Sequence, residues 1–303
     1  MRIGIDLGGT KTEAMLMAPD GSKVARLRVP TPSGNYQANL DMLVDLVTHM
    51  DKTAGCRCPV GIAMPGAVSA TTGLVKNANS TWLIGQPLPL DLQKRLGHRV
   101  RFANDADCFA LSEAHDGAGA RHQTVFGVIL GTGVGGGLVV NTRLVSGPNA
   151  ITGEWGHTPL PWMTRDEYPG PLCYCGKHGC IETWCSGPAL AADHTRITST
   201  TLSPEQIVEQ AGAGNTDALA TLNRHTSRLA RALAMVINIL DPHIIVLGGG
   251  LSELEHLYPA IAADLPQHVF SDTVETQVVK NTHGASSGIR GAAWLWPADA
   301  VAD

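Results

Sequence analysis

Short apolar runs broken by glycine dominate the start of the chain. "RIGIDL" (2–7) reads as a buried strand, "GGTKT" as a glycine turn, "EAMLMA" as a returning strand, and "PDG" (19–21) as a turn into a third strand, "KVARLRV". This pattern predicts a β-meander. Leu40, Leu43, Val44 and Val47 then fall at i, i+3, i+4 and i+7, the stripe of an amphipathic helix. "PVGIAMPG" (59–66) predicts another strand ending on a turn, and "RVRFAND" (99–105) a short strand that stops at Asn104-Asp105 and gives way to a helix. Further on, a helix whose apolar residues include Leu229, Leu233, Val236 and Leu240 precedes a third glycine turn, "HIIVLGGG" (243–250).

The pattern repeats. "IGIDLGGTKTEAMLM" (3–17) and "FGVILGTGVGGGLVV" (126–140) share one strand–turn–strand plan, with glycines at the second and sixth positions of both. Two such hairpins about one domain apart predict two similar lobes facing each other across a cleft. The boundary falls near Gly117 to Gly119, giving an N-terminal lobe over 1–118 and a C-terminal lobe over 119–287. The last helix, within 288–303, is expected to pack back on the first lobe.

A chain of 303 residues, 44% of them hydrophobic, buries a sizeable core. The net charge of −5 is spread through the sequence without a basic run, which argues against nucleic acid as a partner. "MRIGIDLGGT" enters the first strand directly, with no signal-peptide pattern, and no apolar run reaches the ~18 residues of a membrane span. A soluble, cytoplasmic protein is expected. In that reducing compartment clustered cysteines are more often metal ligands than disulfides. "CYCGKHGC" (173–180) places three of the seven cysteines within eight residues.

The glycine turns carry candidate chemistry. In "DLGGTKT" the backbone N–H groups of Gly8 and Gly9 can converge on a phosphate, Thr10 and Lys11 add a donor and a charge, and Asp6 can hold Mg²⁺ through water. The second copy offers Gly131, Thr132, Gly133, Gly135, Gly136 and Gly137, and the third turn Gly249 and Gly250. Ile129 stands where the first copy has Asp6, so the acid near a metal comes from the first copy alone. The pattern is neither the G-x-x-x-x-G-K-[ST] loop nor the Rossmann fingerprint.

With "MPG" (64–66), "KNANSTWL" (76–83), "ANDA" (103–106), "GTG" (131–133), "GEWGH" (153–157), the cysteine cluster and "LGGG" (247–250), the chain resembles the ROK family of bacterial sugar kinases and repressors over nearly its whole length. The resemblance implies an α/β, two-lobe actin-like (ribonuclease-H-like) ATPase fold with a structural zinc loop over 157–180. It also implies ATP with Mg²⁺ between the repeated hairpins, a sugar deeper in the cleft, and a homodimer. Phosphorylating a sugar hydroxyl requires a base in line with the γ-phosphate. Asp105 is the candidate, with Asn104 beside it for a sugar hydroxyl; an Asp there also serves as a helix N-cap, and the resemblance favours the base. Asn79, Glu154, His157 and Glu182 are the further expected sugar ligands.

Cys173, Cys175 and Cys180 supply three thiolates of a zinc site. His157 is the nearest good fourth ligand and His178 a rival; the resemblance carries His157. With four protein ligands the metal is expected to be structural, a staple that fixes Glu154 and Glu182. Cys56, Cys58, Cys108 and Cys185 read as ordinary thiols. The expected activity is transfer of the ATP γ-phosphate to the 6-hydroxyl of a hexose. "NANSTWL" and "WLWP" resemble the fructokinase type, so fructose is the expected acceptor, with mannose as a further substrate. Glucokinase, N-acetylhexosamine kinase and a non-catalytic sugar-sensing regulator are the alternatives. The regulators place a DNA-binding segment ahead of the lobes, for which a phosphate turn at residue 8 leaves no room.

Overall fold

The computed structural model describes residues 1–78 and 80–301. In chain order, β1 (Arg2–Leu7), β2 (Lys11–Met17) and β3 (Lys23–Pro30) lead to α1 (Tyr36–Ala54), β4 (Val60–Met64) and a small ladder of β5 (Ala67–Val68) and β6 (Val75–Lys76). Then come α2 (Leu88–Leu96), β7 (Val100–Asn104), α3 (Asp105–Asp116), β8 (Thr124–Leu130), β9 (Val134–Val140) and β10 (Arg143–Leu144). After a 3₁₀ turn at Glu154–His157 follow α4 (Glu182–Cys185), α5 (Gly187–Thr198), α6 (Pro204–Gly212), α7 (Thr216–Leu240), β11 (Ile244–Gly248), α8 (Leu257–Asp264), β12 (Gln277–Lys280) and α9 (Ser287–Trp294). No helix among the described residues is long and apolar enough to cross a membrane.

The chain clusters into two compact units. One holds Met1–Arg121, Gly137–Thr152 and Thr282–Asp303; the other holds His122–Gly136 and Gly153–Asn281. The first sheet runs β3-β2-β1-β4-β7 and the second β10-β9-β8-β11-β12. Each begins with three consecutive strands in reverse order and continues with two parallel crossover strands.

In the first unit α1 starts where the Asn35 side chain accepts from the Ala38 N–H and stops at Gly55, whose left-handed φ of 71° ends the helix. Its buried face is Leu40, Leu43, Leu46, Val47 and Met50, packed with Ile3, Ile5 and Ile62 of the sheet; Val44 of the predicted stripe is only half buried. The other side of the sheet carries α9. Gly4 and Gly61 are register partners on β1 and β4, and a Cβ on either would overlap the carbonyl oxygen of Ile289 or Ala292, so the α9 backbone rests directly on the strands. Arg2 is buried beneath it, its guanidinium 3.9 Å from the Trp294 ring centroid and donating to the Trp296 carbonyl at 3.2 Å. Trp296 Nε1 donates to the Val60 carbonyl at 2.7 Å. The "WLWP" stretch therefore serves packing within this unit.

In the second unit α7 buries Leu229, Leu233 and Val236, while Leu240 is 37% exposed because the helix ends there at the left-handed Asp241. β8 and β11 form the dry centre, with Val125, Val128, Leu130 and Ile244 to Leu247 buried.

Candidate active site

The first hairpin is braced from outside its own sequence. Thr31, just after β3, donates its hydroxyl to the Gly8 carbonyl at 2.8 Å, and Thr12 Oγ1 lies 2.7 Å from Thr31 Oγ1. The Thr31 N–H reaches the Thr10 carbonyl at 3.0 Å, so the turn is held at both ends while Gly9, Thr10 and Lys11 stay exposed. Sequence reasoning missed Thr31, whose one signal is a hydroxyl at the end of a strand. Asp6 sits half-buried on β1. Burial, then the negative charges of Asp105 and Glu13, push its carboxyl up to about 6, against the pull of Arg28 and Arg26. Those arginines are committed mainly to Glu13, with Arg26 at 2.6 and 2.7 Å and Arg28 at 3.2 Å.

At the junction of β7 and α3 the capping role weighed for Asp105 belongs to its neighbour. Asn104 has extended backbone and its Oδ1 accepts from the Ala106 N–H at 2.8 Å, while its Nδ2 donates to the Gly66 carbonyl at 3.1 Å. One hydrogen of Nδ2 and one lone pair of Oδ1 are thus used by backbone, and the second of each remains for a ligand. Asp105 is the first helical residue and accepts from Ala106 N–H at 2.9 Å. Its side chain reaches solvent, yet the protein packed around it strips hydration from the carboxylate and pushes the carboxyl pKa up, partly offset by that N–H. Asn79 lies outside the described residues.

The second hairpin is arranged differently. The Gly131 N–H closes its turn on the Gly133 carbonyl at 3.0 Å, and Glu182 Oε2 lies over Gly133, accepting from the Val134 N–H at 2.9 Å. Gly136 lies against Trp155 and Phe126, and Gly137 against the backbone of Ala106 and Asp107, so close packing accounts for both glycines. Trp155 Nε1 donates to the Gly135 carbonyl at 3.0 Å. Gly131 and Gly250 are open, whereas Gly249 lies tight against the Leu130 backbone. Glu154 is exposed at the start of the 3₁₀ turn that ends in His157.

The ligand atoms of His157, Cys173, Cys175 and Cys180 all lie within 4.8 Å of one another. Cys175 and Cys180 have their sulfurs 3.6 Å apart, and Cys173 Sγ is 3.5 Å from His157 Nδ1. A tetrahedral zinc with Zn–S of ~2.3 Å and Zn–N of ~2.0–2.1 Å requires S···S of about 3.8 Å and S···N of about 3.6 Å, so the donor set fits zinc in chemistry and spacing. His178 turns away, with Nδ1 3.1 Å from the Gly170 carbonyl, and is not in the cluster. His157 Nε2, the nitrogen left over, is 2.8 Å from the hydroxyl of Tyr174, a residue that sequence reasoning passed over although it stands between two of the cysteines. Cys58, Cys108 and Cys185 are buried and Cys56 exposed.

The ROK family profile matches residues 2–299. The N-acetyl-D-glucosamine kinase of Yersinia enterocolitica is 41% identical over 299 residues, 97% of this chain and 99% of that protein. Among solved structures, a ROK hexokinase from Thermus thermophilus superposes with a TM-score of 0.87 at 26% identity, covering 97% of this chain and 96% of that one. A ROK family glucokinase from Streptomyces griseus, in complex with glucose and AMPPNP, gives a TM-score of 0.75 at 27% identity, covering 97% and 98%. These relatives share the α/β fold, and the curated one is an N-acetyl-D-glucosamine kinase where the sequence stretches had pointed to fructose. With the family profile spanning all but a few terminal residues, the chain belongs to the ROK family.

Proposed function

We propose that the protein is an ATP-dependent sugar kinase that phosphorylates the 6-hydroxyl of a hexose, with N-acetyl-D-glucosamine as acceptor. The observation that carries the acceptor is the full-length similarity, at 41% identity, to an N-acetyl-D-glucosamine kinase. Asp105 is the general base: a carboxyl whose pKa is raised accepts the proton of the attacking hydroxyl more readily than an ordinary one. As that proton moves to Asp105, the sugar oxygen bonds to the γ-phosphorus and the bond to the β-phosphate oxygen breaks, releasing ADP. The hairpin turn at Gly8 and Gly9 with Thr10 and Lys11, and the turns at Gly131–Gly133 and Gly249–Gly250, bind the nucleotide. Mg²⁺, carried by Asp6 through water, would neutralise charge building on the phosphates. Glu154, His157, Glu182, Asn104 and Asn79 bind the sugar, and His157, Cys173, Cys175 and Cys180 hold a structural zinc. With Nδ1 given to a metal, His157 Nε2 would carry the proton and donate it to the Tyr174 hydroxyl or, in its place, to a bound sugar.

A second reading, a fructokinase that also accepts mannose, is favoured by the "NANSTWL" and "WLWP" stretches. Leu83 is buried in the core, and Trp294 and Trp296 hold Arg2 and β4, so packing accounts for much of both. A coupled ATPase assay across N-acetylglucosamine, N-acetylmannosamine, glucose, mannose and fructose separates the readings. The highest kcat/KM is expected for N-acetylglucosamine. A preference of about tenfold for fructose selects the second reading, and turnover of none of the five overturns the kinase assignment.

A further inference from the structure

The second unit buries a set of charges that the proposed chemistry does not use. Arg228 and Arg231 lie one turn apart on α7, with side chains 3% and 7% exposed, and both grip Glu167, itself 9% exposed. Glu167 Oε1 accepts from Arg228 Nε and Arg231 Nη2 at 2.8 Å each, and Oε2 from Arg231 Nη1 at 2.9 Å and the Thr164 N–H at 3.0 Å. Burial alone would raise this carboxyl; the two guanidiniums hold it down at about 2. Arg231 also donates to the Trp162 carbonyl at 2.8 Å, and Arg228 reaches Asp193 on α5 at 3.0 Å.

Buried ion clusters are poor sources of net stability, because well-packed apolar groups of similar volume do as well or better. What this one does touch is the support of Glu182. The Arg228 guanidinium lies 4.4 Å from the Trp184 ring centroid, and Trp184 is two residues from Glu182 on α4. A helix of four residues has no stability of its own, so its neighbours set its direction. Two of those neighbours are Arg228 under Trp184 and His225, whose Nε2 lies 3.1 Å from the Cys185 carbonyl; both come from the same stretch of α7. Glu167 itself sits on the segment between His157 and Cys173, which joins the cysteine loop through the Pro159–Cys180 bridge and the Leu160 N–H to the Gly179 carbonyl at 2.8 Å.

We propose that the Glu167–Arg228–Arg231 cluster is the positioning device for Glu182, fixing the one-turn helix that carries this carboxylate and the segment that leads into the cysteine loop. The consequence for sugar binding rests on the function proposed above; the positioning itself does not. Arg228→Met removes the flat cation under Trp184 while Glu167 keeps Arg231 and Asp193 keeps Arg224 and Arg196. In the folded variant, amide hydrogen exchange across 182–186 should speed up about tenfold, reporting looser local structure. The KM for the sugar should rise about tenfold, with kcat, the KM for ATP and bound metal within about twofold of wild type. Simple destabilisation would instead lower the active fraction and apparent kcat with KM unchanged. Should Arg228→Met not fold, Glu167→Gln, which keeps the shape and weakens the grip of both arginines, should show the same split at about threefold. Unchanged exchange at 182–186 overturns the positioning, and faster exchange with an unchanged sugar KM overturns its bearing on the substrate. A wild-type protein inactive on every sugar would sink the kinase reading, and the exchange measurement would still decide whether the cluster holds the helix.

Discussion

The two repeated hairpins have the same strand plan and solve the problem of placing an acid in opposite ways. The first carries Asp6 on its own strand, and Thr31 pins its turn from β3 nearby. The second has Ile129 at the matching position and takes its carboxylate from Glu182, 48 residues beyond the Val134 N–H that it accepts. The two copies thus share their strand plan, whereas charge is placed locally in one copy and through tertiary structure in the other. The first arrangement concentrates acids: burial, then the charges of Asp105 and Glu13, push the Asp6 carboxyl up to about 6. The second has one carboxylate bound to backbone beside a loop of thiols.

The largest effect should come from the acid cluster of the first unit. Asp105→Asn keeps the hydrogen bond to Ala106 and removes the base, so turnover should fall by roughly 10² to 10⁴ with sugar binding retained. Near-normal turnover would leave Asp105 as a helix-start residue only. Breaking the second region at its thiols comes next. Metal analysis should find about one zinc per chain in wild type and none in Cys175→Ser, a hydroxyl being a poor substitute for thiolate. Calorimetry should then show weaker sugar binding with nucleotide-analogue binding kept, and unchanged sugar affinity in the zinc-free protein would place the loop outside substrate recognition.

Thr31→Val tests the local brace of the first hairpin. Losing the hydroxyl leaves the Gly8 carbonyl without its donor, for a stability loss of about 1–2 kcal/mol and a KM for ATP that rises more than that for sugar. Equal changes in the two KM values would mean that the turn does not serve the nucleotide. The smallest effect is a titration. Because the folded pKa of Asp6 is raised to about 6, above an ordinary ~3.9, its contribution to stability is complete below about pH 4 and is lost as pH rises through about 6. Asp6→Asn should therefore melt with wild type at pH 4 and above it at pH 7.5. In Asp105→Asn, NMR titration should find the Asp6 carboxyl lowered, since one of its repelling charges is gone; an unmoved value would show that Asp105 does not contribute to it.

Much of the fold was legible because strand and helix periods are local. The meander, the α1 stripe, the repeated hairpin and the β7–α3 junction all come from short-range alternation and turn chemistry. The cysteine cluster was legible for the same reason, since three of its ligands fall within eight residues. Other parts were not. At 104–105 two residues of similar capping propensity stand side by side, and only the backbone angles assign the cap to Asn104. Thr31, Tyr174 and the Arg228 cluster act through partners distant in sequence, as does the tie of Glu182 to Val134.

By itself, the sequence determined which segments form strands and helices, where the glycine turns fall, and which residue types are on hand for phosphate, proton and metal. It could do so because each of these depends on neighbours within one turn or one hairpin. Tertiary structure alone decided that Asp6 feels Asp105, that the two tryptophans of "WLWP" lock Arg2 and β4, and that the Arg228 guanidinium packs on Trp184 beside Glu182. Burial and charge coupling depend on distance in space, and residues 48 or 294 positions apart meet only once the chain has folded.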